Sequence, residues 1–139
     1  MQIFKCPTAL LLFTAILLAG YAPLSSAEDI SAIALEQQMS ANTVPFILDV
    51  RSADEYDTGH VPTAINIPHT EVTNRLDELP DNLDTEIIIY CRSGRRAAMA
   101  QATLEKAEFS GIRHLEGDFI GWQEAGLPVQ IESAESGVE

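Results

Sequence analysis

The hydrophobic pattern divides the chain into short segments of changing period. Residues 28–41, EDISAIALEQQMSA, place Ile30, Ile33, Ala34 and Met39 at mostly helical spacing, with acidic residues at the end that a helix dipole favours. The stretch from Asn42 to Pro45 breaks that pattern. Phe46-Ile47-Leu48-Asp49-Val50 then predicts a short buried strand. Ala53 to Thr58 is polar and predicts a turn ending at Gly59. Ile65-Asn66-Ile67 alternates and stops at Pro68, which predicts a second short strand. Thr70 to Leu79 predicts a helix with Val72, Leu76 and Leu79 on one side, closed by Pro80.

The strongest strand signal is Ile87-Ile88-Ile89-Tyr90, β-branched and aromatic throughout. Apolar on both faces, it belongs in the middle of a parallel sheet. Residues 95–107, RRAAMAQATLEKA, give the strongest helix signal, with Ala97, Ala100, Leu104 and Ala107 on one stripe. Ser110-Gly111 ends it. Ile112 to Leu115 predicts a last strand, Phe119 to Ala125 a short helix, and Gly126 to Val129 a closing turn. Residues 132–139 are polar and acidic and predict a disordered tail. Strands alternating with helices point to a single α/β domain over residues 28–131, built on a parallel sheet. Ligands of such sheets sit at the carboxyl ends of the strands. At the end of the strongest strand stands Cys91.

The first 27 residues have a different character. Lys5 is their only charged side chain, Thr8 to Gly20 is nearly all apolar, and Ser25-Ser26-Ala27 offers small residues for a cleavage site. A positive start, short apolar core and small-residue exit predict a secretory signal peptide over residues 1–27, and hence an exported, periplasmic protein. The apolar run of 13 residues is shorter than the roughly 20 that span a bilayer. A lipid anchor would need Cys after Leu18-Ala19-Gly20, where Tyr21 stands.

Composition sharpens the picture. The 139 residues accommodate one domain, and 46% hydrophobic with 21% charged residues is a globular balance. Eight Lys and Arg against 21 Asp and Glu give −13, a field that disfavours nucleic acid. Loss of residues 1–27 removes Lys5 and takes the charge from −13 to −14. It also removes Cys6 and leaves Cys91 as a lone thiol in a compartment that favours disulfides. Such a thiol is either buried and inert or kept for its reactivity.

The neighbours of Cys91 favour reactivity. In Cys91-Arg92-Ser93-Gly94-Arg95-Arg96, a strand-to-helix turn aims successive backbone N–H groups at one point, and Gly94 permits the tight path. The helix N-terminus and the three arginines add positive charge, and each contribution favours thiolate over thiol. Arg95 and Arg96 open a helix, where its dipole disfavours cations, so local rules are broken together at this place. An anion-binding loop around a thiolate suits phosphate-ester hydrolysis or sulfur transfer. The phosphatase loop requires Cys, five residues, then Arg, and here Ala97 occupies the Arg position. Tyr90 likewise stands where that pattern has His. A shorter loop fits one sulfur atom better than a tetrahedral phosphate.

At these residues the chain resembles the rhodanese-like sulfurtransferases. The resemblance runs from about Phe46 to Val129. It rests on Leu48-Asp49-Val50-Arg51, Glu55-Tyr56, Gly59-His60-Val61-Pro62, Ala64-Ile65-Asn66-Ile67-Pro68, the loop Cys91 to Arg96, and Gly117, Trp122, Gly126 and Pro128. It implies a central parallel five-stranded sheet flanked by helices. It also implies a catalytic Cys91 at the head of a loop whose amides cradle a persulfide, with Arg92, Ser93, Gly94, Arg95 and Arg96 binding substrate. Two positions depart from the family pattern: Thr63 follows Pro62 where Gly is common, and Asp118 follows Gly117 where a second Gly is common. If Asp118 lies near the loop, its carboxylate repels anionic donors.

Asp49 and Arg51 end a strand and are expected to form a structural pair that orders the neighbouring loops. His60, His69 and His114 lack ligand spacing, so no metal site is expected and they default to structural roles, with His69 a candidate to line the pocket. Trp122 is expected in the core or as a lid. The expected activity is thiosulfate sulfurtransferase chemistry through a Cys91 persulfide, with cyanide or a thiol as acceptor and no cofactor. The rival functions are a persulfide carrier serving a protein partner and a redox-responsive thiol.

Overall fold

The computed structural model describes residues 28–131. The expected signal peptide (1–27) and acidic tail (132–139) lie outside the described residues. Four parallel strands form the sheet: β1 (Phe46–Asp49), β2 (Ile65–Asn66), β3 (Ile87–Tyr90) and β4 (Ile112–His114), in the order β2-β1-β3-β4. The register pairs Leu48 with Ile65 and Ile89, and Ile89 with His114. The expected fifth strand is reduced to a single parallel bridge between Ile30 and Leu115 at the β4 edge. Ser31 cuts it short, because its side chain caps the helix that follows by accepting the Ala34 N–H at 3.2 Å.

β3 is the centre of the domain. All four of its residues are buried, at about 1.5–3 kcal/mol for each large apolar side chain. Ile87 and Ile89 face a core layer with Leu48, Ile67, Ala100 and Leu104, whereas Ile88 and Tyr90 face a layer with Leu35, Phe119 and Trp122. The first layer is covered by α3 (Arg95–Lys106), the second by α1 (Ala32–Ser40) and α4 (Asp118–Glu124).

Three local expectations are corrected. The segment Ala53 to Thr58, expected as a turn, holds a short helix α2 (Ala53–Asp57). Its cause is a capping box: Ser52 accepts from the Glu55 amide while the Glu55 carboxylate accepts from the Ser52 amide. The helix expected over Thr70 to Leu79 is two 3₁₀ turns, Val72–Asn74 and Leu76–Glu78. Arg75 between them has φ −129°, outside helical geometry, so the i to i+4 ladder never forms. In α1, Ile33 is exposed at 50% whereas Leu35 is fully buried. Ile30 precedes the helix, in the bridge to Leu115, so the stripe is set by Ala32 and Leu35 instead.

Candidate active site

Cys91 leaves β3 at its carboxyl end and is 2% exposed. The chain then turns through Arg92 and Ser93 to Gly94, which caps α3 with φ +102°, a state open to Gly and costly for other residues. That turn brings the Gly94 N–H to 3.1 Å from Cys91 Sγ, where it donates to the sulfur. The axis of α3 begins at the same place and adds its partial positive charge. Cys91 therefore sits where a strand end, a helix start and a directed amide coincide.

The three loop arginines take different places. Arg92 and Arg95 are exposed, and so is Ser93. Arg96 is half-buried, and the Cys91 sulfur adds, after Glu55, to the raising of its guanidinium above the ordinary value. Its guanidinium is also held by Glu55, Nη1 to Oε2 at 2.6 Å and Nη2 to Oε1 at 2.8 Å. The hydrogen bonds from Arg96 hold the Glu55 carboxyl down at about 2, against the opposing effect of burial. Glu55 owes its own position to the capping box with Ser52. The contact of Glu55 with Arg96 was not legible in the sequence, although the Ser52-x-x-Glu55 spacing announces the cap that places it.

Asp49 and Arg51 form the expected buried pair, 0% and 3% exposed, with Arg51 Nη2 2.6 Å from Asp49 Oδ2. Burial works against the Arg51 charge, but hydrogen bonding and proximity to Asp49 outweigh it and raise the guanidinium above its ordinary value. Arg51 also donates to the Gly59 carbonyl and stacks 4.0 Å from the Phe119 ring centroid. Tyr90 completes the arrangement: its hydroxyl donates to Asp49 Oδ2 at 2.7 Å and accepts the Val61 N–H at 3.1 Å. These residues lock the loop after α2 onto the strand that carries Cys91, which is a supporting role.

The histidines also separate. His60 is buried and stacked on Tyr56, with ring centroids 3.7 Å apart. The His69 N–H donates to the Val50 carbonyl. Trp122 is core, its Nε1–H donating to the Pro128 carbonyl. His114 and Asp118 lie at the loop instead. Asp118, 4% exposed, accepts the Cys91 N–H on Oδ1 at 2.8 Å, and its Oδ2 lies 3.0 Å from His114 Nε2. The neighbouring amides of Phe119 and Ile120 donate to the carbonyls of Cys91 and Arg92. The start of α4 is thereby docked on the Cys91 loop. Asp118 does lie beside the loop, and His114 pairs with it.

Residues 31–125 match the family model described as a rhodanese-like domain. Among curated relatives, the chain is 38% identical over 98 residues to "Putative sulfur carrier protein YrkF" of Bacillus subtilis (strain 168), covering 70% of this chain and 52% of that protein. It is 31% identical over 101 residues to a protein of Allochromatium vinosum named "Sulfurtransferase", covering 73% and 92%. The chain thus spans about half the length of the first of these relatives and nearly all of the second. The crystal structure of a rhodanese-related protein from Thermoplasma volcanium superposes with TM-score 0.65 at 30% identity, covering 76% of this chain and 100% of that one. The chain belongs to the rhodanese-like domain family.

Proposed function

We propose that this protein is an exported sulfurtransferase that carries sulfane sulfur on Cys91. The observation that carries the reading is the Gly94 N–H aimed at Cys91 Sγ from 3.1 Å, at the head of a loop flanked by arginines. Such a loop stabilises an anionic sulfur and, after transfer, the terminal sulfur of a persulfide. The Cys91 thiolate attacks the outer sulfur of thiosulfate. A new sulfur–sulfur bond forms, the bond to the sulfonate sulfur breaks, and sulfite leaves with the electron pair. In the second half-reaction cyanide attacks the terminal sulfur, thiocyanate leaves, and the Cys91 thiolate is restored. A thiol acceptor would instead leave with the sulfur as a persulfide. Charge and electrons balance in each half, so no cofactor is needed, and the sequence of events is ping-pong.

In this reading Arg92, Ser93, Gly94, Arg95 and Arg96 bind the donor, with Arg96 held in place by Glu55, and Asp49 and Arg51 support the site. Export rests on residues 1–27 and is tested by N-terminal sequencing of the secreted fraction, with Glu28 expected first. The central claim is tested by intact mass spectrometry of the reduced protein after thiosulfate treatment. A gain of one sulfur atom, lost in Cys91→Ser, is expected. No gain in the wild type overturns the reading.

A second reading is favoured by the similarity to a protein named as a sulfur carrier. A carrier would take up the same sulfur atom and yet show little steady-state thiosulfate-to-cyanide turnover, releasing its sulfur only to a protein partner.

A further inference from the structure

Asp118 and His114 stand against the reacting loop and have no part in the sulfur transfer described above. Asp118 is a costly residue to place there. Its backbone adopts φ +54°, a left-handed state that residues with a Cβ adopt at a cost, Asp less than most. Its carboxylate is also buried, and a buried charge is unfavourable unless it is partnered. Both partners are specific: the Cys91 N–H at 2.8 Å and His114 Nε2 at 3.0 Å. The pair packs under Gly94, where an added Cβ would lie 3.1 Å from Asp118 Oδ2 and 3.7 Å from His114 Cε1. Gly94 is the residue whose N–H donates to Cys91 Sγ. The pair therefore touches the anion-binding loop at two points, from a position shielded from bulk water.

This geometry gives the loop two electrostatic states. With His114 protonated, the Asp118 carboxylate is neutralised by its partner. With His114 neutral, one uncompensated negative charge remains beneath a loop built to accept anions. We propose that the Asp118–His114 pair is a charge gate on the Cys91 loop, admitting anionic sulfur compounds when His114 is protonated and discriminating against them, relative to uncharged ones, when it is neutral. The proposal takes Cys91 as the reacting thiol, as in the functional reading above, and makes Asp118 and His114 positioning residues that act through the loop.

The groups that face the pair are few. Asp118 is the main cause that lifts His114 above its ordinary value, against the opposing effect of burial, and Asp29 adds to the lift from the segment before α1. On β3 the neighbour of His114 is the uncharged Ile89. At the rim of the loop, Arg96 pairs with Glu55 and stays charged throughout the neutral range. His114 is thus the imidazole that faces the loop, and its proton is the one the pair can lose as pH rises.

The test compares alkylation of Cys91 by iodoacetate and by iodoacetamide from pH 5 to 9, using the purified protein. Both reagents consume the same thiolate, so the ratio of their rates cancels its abundance and reports the charge at the loop. In the wild type the ratio is expected to fall by about three- to tenfold as pH rises through the titration of His114, followed on the same sample by its ring resonances in NMR. In His114→Gln the ratio should stay low and flat. In Asp118→Asn, whose amide oxygen still accepts the Cys91 N–H, it should be higher at pH 9, and its step should move to lower pH. A flat wild-type ratio while His114 titrates, or an unchanged step in His114→Gln, overturns the gate. Sulfur uptake from thiosulfate with a flat ratio removes the gate alone. The expected step without sulfur uptake supports the gate and removes the sulfurtransferase reading.

Discussion

Arg96 and Glu55, 41 residues apart in the chain, meet in a two-pronged ion pair of 2.6 and 2.8 Å on the rim of the Cys91 loop. The long arginine side chain is thereby set in one direction before any donor arrives. A preset guanidinium loses less freedom on binding an anion than a mobile one.

Arg96→Ala is accordingly expected to raise the KM for thiosulfate by about tenfold, the loss of one well-formed charge-assisted hydrogen bond. Arg95→Ala, at an exposed position, should change KM least. Steady-state kinetics at fixed ionic strength check both. An unchanged KM in Arg96→Ala would mean that this guanidinium serves Glu55 and not the donor.

The same ion pair predicts an acid limit. The Glu55 carboxyl is lowered from 4.5 to about 2 in the folded protein. A depressed folded value means that its contribution is present above about 4.5 and is lost as pH falls toward 2. Urea midpoints measured between pH 6 and 2.5 should therefore fall less in Glu55→Gln than in the wild type. The two groups are about 30% exposed, so the difference will be modest.

Cys91→Ser should abolish sulfur uptake and leave stability nearly unchanged. Serine keeps an acceptor for the Gly94 N–H and alters little volume, but its hydroxyl is a poor nucleophile and holds no persulfide. Mass spectrometry after thiosulfate treatment and a urea titration give the two readings.

The buried pair behind the loop should be far more sensitive. Arg51→Ala leaves the Asp49 carboxylate buried with its main partner gone, at a cost of about 3–5 kcal/mol. Tyr90→Phe removes the hydroxyl that joins Asp49 to the Val61 amide and should cost about 1–3 kcal/mol. Chemical denaturation measures both. Losses below 1 kcal/mol in each would show that the loops are held by other contacts.

Two backbone positions predict opposite signs. Gly94→Ala is expected to lose both stability and sulfur uptake, because φ is +102° and the new Cβ meets Asp118 Oδ2 at 3.1 Å. Asp118→Gly in the same chain should restore part of the loss. Thr63 carries φ +67° at an exposed site, so Thr63→Gly should stabilise by about 0.5–1 kcal/mol, the left-handed strain relieved less the backbone entropy of glycine. Thermal unfolding separates the two directions.

The sequence by itself determined the strand Ile87–Tyr90, the helix that follows, and the chemistry-bearing segment between them. Those signals are local: a β-branched run, an alanine stripe, and a Gly turn beside Cys91 are each complete within a few residues. It also made Asp49 and Arg51 candidates for a structural pair, since two residues on one strand end are already neighbours. Tertiary structure alone decided what surrounds the thiol. Glu55 reaches Arg96 across 41 residues, and Asp118 reaches the Cys91 amide across 27. Nothing local to Arg92, Arg95 and Arg96 shows which of them is held by Glu55. That choice follows from where α2 and α4 dock, and docking is set by burial of Val61, Phe119 and Trp122 in a shared core layer. The helix expected over Thr70 to Leu79 failed for a related reason. Its apolar spacing fits either a helix or a chain pinned at Val72 and Leu79 against α3 and the sheet. Packing selected the second, because buried side chains outweigh the weak helix preference of so short a segment.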